Sequence, residues 1–376
     1  MNSEFPIELH RQATIERLRD YSRRCGYDAV VLSTPGNVAW LSGGISPRID
    51  RSAPRDSIWF VVTDAKVTLI SNAVEIPRLI TEDEKQIERF SVVEVPWYGT
   101  YWEAVLDILP AGKHHIGADY LGGAGVDIAD DLIAMRLALT PFAQGQLHQL
   151  GRAATSALED TLKSWKPGEL DLEIQARLCY ELEVRGIEPV VVIVGGDDRP
   201  KQFRHPVAIG AHVKEYLMAV VVAKRHGLHV AATRFVASHS LSGEQKQAFE
   251  ELGRIQADVA ARAKVGASYG NLYETLAGSY ARFGHRGAWK EHFQGGPIGY
   301  EQREFEISPE DVTSPWFLEG VELGQAIAFN PSYRGGFKVE DTYLLGTFGP
   351  KRVTDSGDWP MMIFDDDFPV AGVLEI

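Results

Sequence analysis

One pattern occurs twice in this chain, and it constrains the fold more than any other feature. Lys166-Pro167-Gly168 is followed by seventeen residues and then Gly186; Lys264-Val265-Gly266 is followed by seventeen residues and then Gly284, at an offset of 98 residues. Each copy follows an amphipathic helical pattern, the first from Gln146 to Lys163 with Leu147, Leu150, Ala154, Leu158 and Leu162 at helical spacing. Each copy is followed by strand-like sequence. Such a unit carries an apolar face that it cannot cover alone. Two copies are therefore expected to join their strands into one sheet backed by helices, with a pocket between the halves.

The residues before this duplication alternate between the two periodicities. Residues 10–26 read as a helix with Ile15, Leu18 and Tyr21 on one side, ended by Gly26. Residues 28–33 read as a buried strand, and residues 37–41 follow a Pro-Gly turn. Residues 57–63 and 67–71 read as a hairpin, 76–80 as the start of a helix, 90–95 as a strand, 101–109 as a helix and 115–118 as a short strand. This predicts an α/β domain over residues 1–140 and a duplicated domain over 141–376, an α+β protein as a whole, with the boundary near Arg136 to Gln144. The tail from Lys351, with Asp365-Asp366-Asp367, is expected to be a partly ordered extension without chemistry.

Composition narrows the partners. A formal net charge of −14 over 376 residues argues against nucleic acid and against an anionic membrane surface. No run of 18 uncharged apolar residues is present, so no membrane span is expected. Cys25 and Cys179 are the only cysteines, too few and too far apart for a disulfide scaffold, and the first residues carry no apolar signal segment. A cytoplasmic protein with a small-molecule substrate is the expectation.

Over the duplicated region the chain resembles the creatinase/prolidase/aminopeptidase P family, the pita-bread fold. Residues 216–223 (YLMAVVVA) and 228–237 (LHVAATRFVA), with Gly227 between them, fill the frame of the hairpin that ends the first half, and Thr233-Arg234 match its Thr-Arg. Gly295-Gly296-Pro297-Ile298-Gly299 stands for a Gly-His-Gly-Ile-Gly segment, Arg303-Glu304 for His-Glu, Phe329-Asn330-Pro331 for Ile-Glu-Pro, and Val339-Glu340-Asp341 for Val/Ile-Glu-Asp. The metallopeptidases of the family hold two metal ions with two Asp, one His and two Glu. The resemblance puts those ligands at Val220, Ala231, Gly296, Asn330 and Glu340, of which only Glu340 is kept. The other four side chains do not replace carboxylates and imidazole. The resemblance thus implies no metal and no cofactor, and it points to the metal-independent creatinase branch of the family.

That branch supplies the candidate residues. His205, in Phe203-Arg204-His205-Pro206-Val207, matches the proton-shuttling His, a side chain suited to acid and base work near neutrality; its bland alternative is a loop His. Glu340 is expected in the pocket, as a base or orienting carboxylate or as a structural partner of Arg234 or Lys338. Strand alternation puts His229, Ala231 and Thr233 on one face, so His229 and Thr233 are further candidates, with a solvent-facing His the alternative. Asn330 offers donor and acceptor groups to a ligand. Arg303 suits a substrate carboxylate unless Glu304 or Glu301 neutralises it, and Glu304 lies beside it. Arg48 and Arg51, in a Gly/Pro loop of the first domain, match a position from which creatinase-like dimers lend an Arg to the partner's pocket. A homodimer is accordingly expected.

The functional expectation is a metal-independent hydrolase of a C–N bond (amide, amidine or guanidino) in a small polar substrate. A catalytically inactive binding domain and a lyase or isomerase using the same pocket are the alternatives.

Overall fold

The computed structural model describes residues 6–45, 49–82, 87–120, 125–333, 337–364 and 368–376. Contacts divide the chain into two compact units, Met1–Arg136 with Thr140–Ala143, and Leu137–Leu139 with Gln144–Ile376.

The first unit is built on strands β1 (Ala29–Leu32), β2 (Ile58–Val62), β3 (Val67–Asn72), β4 (Ser91–Val95), β5 (Ile116–Ala118) and β6 (Val126–Asp127), in the spatial order β4-β3-β2-β1-β5-β6. β2 and β3 form the expected antiparallel hairpin, while β4 and β5 join by parallel pairing. Val31, Trp59, Val61, Ile70 and Ile116 bury one face of the sheet under Val105 of helix Tyr101–Ile108. Pro35-Gly36 does not make a turn as the sequence reading had it. Pro35 opens helix Pro35–Ser42, where its missing N–H costs nothing. Arg51 is exposed in this unit; Arg48 lies outside the described residues.

The second unit carries the duplication. Its first half runs helix Pro141–Lys163, helix Asp171–Glu183, β7 (Glu188–Gly196), β8 (Tyr216–Arg225) and β9 (Leu228–Ala237); its second runs helix Gly243–Arg262, helix Tyr269–Arg282, β10 (Gly295–Ile298), β11 (Ala326–Phe329) and β12 (Asp341–Gly346). The repeated glycines do the same work in both. Gly168 and Gly266 take φ of 101° and 88°, and each donates its N–H across to a distant carbonyl, Val213 at 2.7 Å and Val321 at 2.9 Å. The bridges Leu170↔His212 and Ser268↔Gly320 repeat the match one step on. Gly186 and Gly284, at φ 66° and 83°, end the second helix of each half. Ile187 and His285 then reach back to Leu182 and Tyr280 in the bond that closes a helix over a left-handed glycine.

β16-β9-β8-β7 form one four-stranded sheet and β10-β11-β12-β13 another, with β13 spanning Gly349–Arg352 and β16 Val373–Glu375. The bridge Thr233↔Glu340 joins them. The tail is more regular than the partly ordered extension expected from the sequence: β14 (Met361–Phe364) pairs with β15 (Phe368–Ala371), and β16 adds to β9 in parallel. Asp365-Asp366-Asp367 lies outside the described residues.

Candidate active site

The two sheets bring the five metal-ligand positions of the resembled family onto one face. Residues directly opposite each other in a ladder point to the same side, as do residues two apart in a strand. Val220 pairs with Thr233, and Thr233 bridges to Glu340. The register that pairs Phe329 with Asp341 and Ser332 with Lys338 places Asn330 opposite Glu340. Gly296 pairs with Ala328, two residues from Asn330, and Ala231 lies two residues from Thr233. Thr342 locks the seam between the sheets, its Oγ1 accepting from the Ala231 N–H at 2.8 Å and donating to the Ala231 carbonyl at 3.0 Å.

The frame is therefore kept, and what stands on it has changed. Val220 and Ala231 are buried and apolar. At Gly296, φ is 154°, and a Cβ would meet the Tyr273 hydroxyl at 2.5 Å; that hydroxyl donates to the Gly295 carbonyl. Glu340 is buried and accepts from Thr233 Oγ1 at 2.7 Å, and its Oε2 lies 3.2 Å from Lys338 Nζ, itself buried. Of the two structural partners considered for Glu340, the structure selects Lys338. Arg234 is committed elsewhere, between Glu159 and Asp341 at 2.9 Å each, all three 1% exposed. Among the described residues no group of three or more His, Cys, Asp or Glu is placed to hold a metal ion. The donor set at the family's dinuclear position is one carboxylate already held by an ammonium, beside a neutral amide, and does not fit a pair of divalent cations.

Near this face opens a cleft of about 530 Å³, lined among others by Arg204, His205, Trp289, His292, Phe293 and Glu306. His205 and His292 meet in it, Nε2 to Nε2 at 3.1 Å, with their rings at 70°. Both imidazoles are held below the ordinary histidine value, first by burial and then by the charge of Lys338; for His292 the result is about 3. Both rings are thus neutral at pH 7. The Nδ1 of His292 contacts the Phe293 carbonyl. A carbonyl only accepts, so that Nδ1 carries the hydrogen and the Nε2 of His292 is bare. His205 then donates its Nε2–H to His292, which leaves the Nδ1 of His205 as the free basic nitrogen.

The remaining candidates are placed differently. His229, near the start of β9, is buried rather than solvent-facing, with its Nδ1 3.2 Å from the Gly299 carbonyl, and it is not among the residues lining the cleft. Glu304 turns back on its own loop, accepting from the N–H groups of Tyr300 and Glu301. Arg303 donates to the Ala328 carbonyl at 3.0 Å and approaches Glu306 at 3.3 Å, rather than the Glu304 or Glu301 considered from the sequence. Asn330 and Ser332 are buried, and among the described residues neither Asn330 Oδ1 nor Ser332 Oγ has a hydrogen-bond partner. The sequence reading missed His292, Tyr273 and the place of Lys338 in the site. His292 stands four residues before Gly296, close enough to the Gly-rich segment to have been weighed with it.

No protein-family model matches the chain. It is 20% identical over 352 residues to the Xaa-Pro dipeptidase of Pyrococcus horikoshii, covering 90% of this chain and 96% of that protein. Among solved structures it superposes on the X-Pro aminopeptidase of Thermotoga maritima with a TM-score of 0.75 at 18% identity, covering 96% of this chain and all of the other. It also superposes on the N-terminal domain of the FACT complex subunit SPT16 from Cicer arietinum (chickpea), with a TM-score of 0.67 at 14% identity, over 93% of this chain and 96% of that one. The chain has the pita-bread fold, and its neighbours in sequence and structure include Xaa-Pro dipeptidases and aminopeptidases.

Proposed function

We propose that this protein is a hydrolase that cleaves a C–N bond of a small polar substrate without a bound metal. The observation that carries the reading is the His205–His292 pair in the wall of the cleft. His205 Nδ1 takes a proton from a water as its oxygen attacks the substrate carbon. The imidazolium so formed returns that proton to the departing nitrogen as the C–N bond breaks, so one water is consumed per bond cleaved. His292 holds the tautomer of His205 and shares its transient charge. Glu340 is a positioning residue in this scheme, since its Oε2 is bound to Thr233 and Lys338.

The test is amine release from a panel of small amides, amidines, guanidino acids and Xaa-Pro dipeptides in the presence of EDTA. Turnover that survives EDTA and is lost in His205→Ala supports the reading. Turnover that appears only when EDTA is left out sinks the metal-free part of it.

The second reading is a binding domain without turnover. It is favoured by the changed ligand positions, four of which carry neither a carboxylate nor an imidazole. It predicts ligand-induced stabilisation and no product from any member of the panel.

A further inference from the structure

The contact between His205 and His292 has a second chemical use. Their Nε2 atoms stand 3.1 Å apart, and both residues line the cleft. Two imidazole nitrogens on one tetrahedral Zn²⁺, each at about 2.0–2.1 Å, lie about 3.3 Å from each other. The spacing of the pair is therefore close to that of two ligands of one cation. The His205 ring is exposed, and among the described residues its one hydrogen bond is the one to His292, so it is free to turn its lone pair. A second observation concerns His292, whose Nδ1 contacts the Phe293 carbonyl. A ligating histidine commonly donates its outer ring N–H to such a carbonyl, which fixes the ring and leaves the other nitrogen bare for a metal. Arg204 and Lys290 line the same cleft with Glu291, Glu306 and Asp311, two cations against three carboxylates, so its lining is no barrier to a cation. Neither histidine stands at one of the five ligand positions of the resembled family.

We propose that His205 and His292 form a two-histidine site for a late first-row divalent cation, Zn²⁺ or Cu²⁺, and that filling it switches the cleft off. Imidazole suits these ions, whereas Mg²⁺ and Ca²⁺ take oxygen ligands. Among the described residues no third His, Cys, Asp or Glu completes the set, so the pair supplies two ligands and water the rest. When the cation binds, the hydrogen on His205 Nε2 moves to its Nδ1. Two coordinate bonds form, one hydrogen bond is lost and no proton leaves the protein. His205 Nδ1 then carries a hydrogen and no longer serves as a base, and His292 no longer shares its charge. The switching rests on the hydrolase reading; the binding does not.

The experiment is a calorimetric titration of the full chain, free of EDTA and of any affinity tag, with zinc chloride and magnesium chloride at pH 7, with the ring-proton NMR signals of His205 and His292 followed beside it. Zinc is expected to bind at one equivalent and to shift the signals of both rings, and magnesium is not. His205→Ala and His292→Ala are each expected to weaken zinc binding at least tenfold, while His239→Ala, at a histidine that does not line the cleft, leaves it unchanged. No zinc binding, equal response to magnesium, or undiminished binding in both cleft variants overturns the proposal. On a substrate found by the panel, zinc is expected to lower turnover at least tenfold and EDTA to restore it; turnover unchanged or raised by zinc bound at the pair overturns the switching. Zinc binding at the pair without turnover on any substrate overturns the hydrolase reading and leaves the metal site standing; turnover without zinc binding does the reverse.

Discussion

His205 and His292 touch through the same atom of each ring, Nε2 to Nε2 at 3.1 Å, and one of the two must therefore be bare. The contact of His292 Nδ1 with the Phe293 carbonyl assigns the bare nitrogen to His292. The pair then has a direction, with its basic end at His205.

This direction makes the two substitutions unequal. His205→Ala removes the proton carrier and is expected to lower kcat by about 100- to 10,000-fold. His292→Ala leaves the carrier but releases its tautomer, so a smaller loss is expected, about tenfold to a hundredfold. Steady-state kinetics on the substrate found by the panel decide it; equal losses would mean the pair has no fixed direction.

The pH dependence has a definite sign. Both histidine values are lowered in the folded chain, so the neutral forms are favoured by folding. As pH falls below about 6.5, the ordinary histidine value, the unfolded chain takes up protons that the native site refuses. Stability from these groups is complete above that value and declines toward the folded value of His292, about 3. Urea midpoints between pH 7 and 4 are expected to fall, and to fall less in His292→Ala. Loss of the positive charge in Lys338→Met is expected to move the acid limb of kcat/KM to higher pH.

Restoring the family's histidine is expected to fail. In Gly296→His the new Cβ meets the Tyr273 hydroxyl at 2.5 Å on a backbone unsuited to a side chain. Overpacking of this kind costs about 1–3 kcal/mol, and the strained backbone adds to it. Thermal denaturation should show the loss, and Gly296→His/Tyr273→Phe should recover part of it.

The buried triad of Glu159, Arg234 and Asp341 gives the clearest stability prediction. Arg234→Leu leaves the buried Glu159 without its paired counter-charge and leaves Asp341 with only Arg352, 3.7 Å away, a change worth about 3–5 kcal/mol. Equilibrium unfolding in urea measures it. A loss under about 1 kcal/mol would mean the carboxylates find other partners.

The duplication was legible because glycine at a left-handed turn has few substitutes. Gly168 and Gly266 carry the same φ sign and the same long-range bond, and that constraint survives in the sequence as spacing. The strand frame around Glu340 was legible for a related reason, since flanking residues held the register while the ligand positions changed, although Glu340 itself is not among the residues lining the cleft. His292 and Lys338 were not, because their roles come from pairing partners far away in the chain: His205 for one, and the seam at Thr233 and Ser332 for the other. Arg303 and Glu304 looked like a substrate clamp in a string of letters. In three dimensions a carbonyl and Glu306 take up the first, and backbone N–H groups the second. The tail misled because composition says nothing about an open strand edge waiting for a partner.

That edge has a cost in time. β9 pairs with β16 through Phe235 and Val373, which lies 138 residues later in the chain. Parallel pairing over such a separation forms late and slowly. At about 5–20 residues per second of synthesis, the rim of β9 stays unpaired for roughly 7–28 s before its neighbour exists. An unpaired edge of this kind is open to pairing with other chains, and slowing translation is expected to raise the fraction that aggregates.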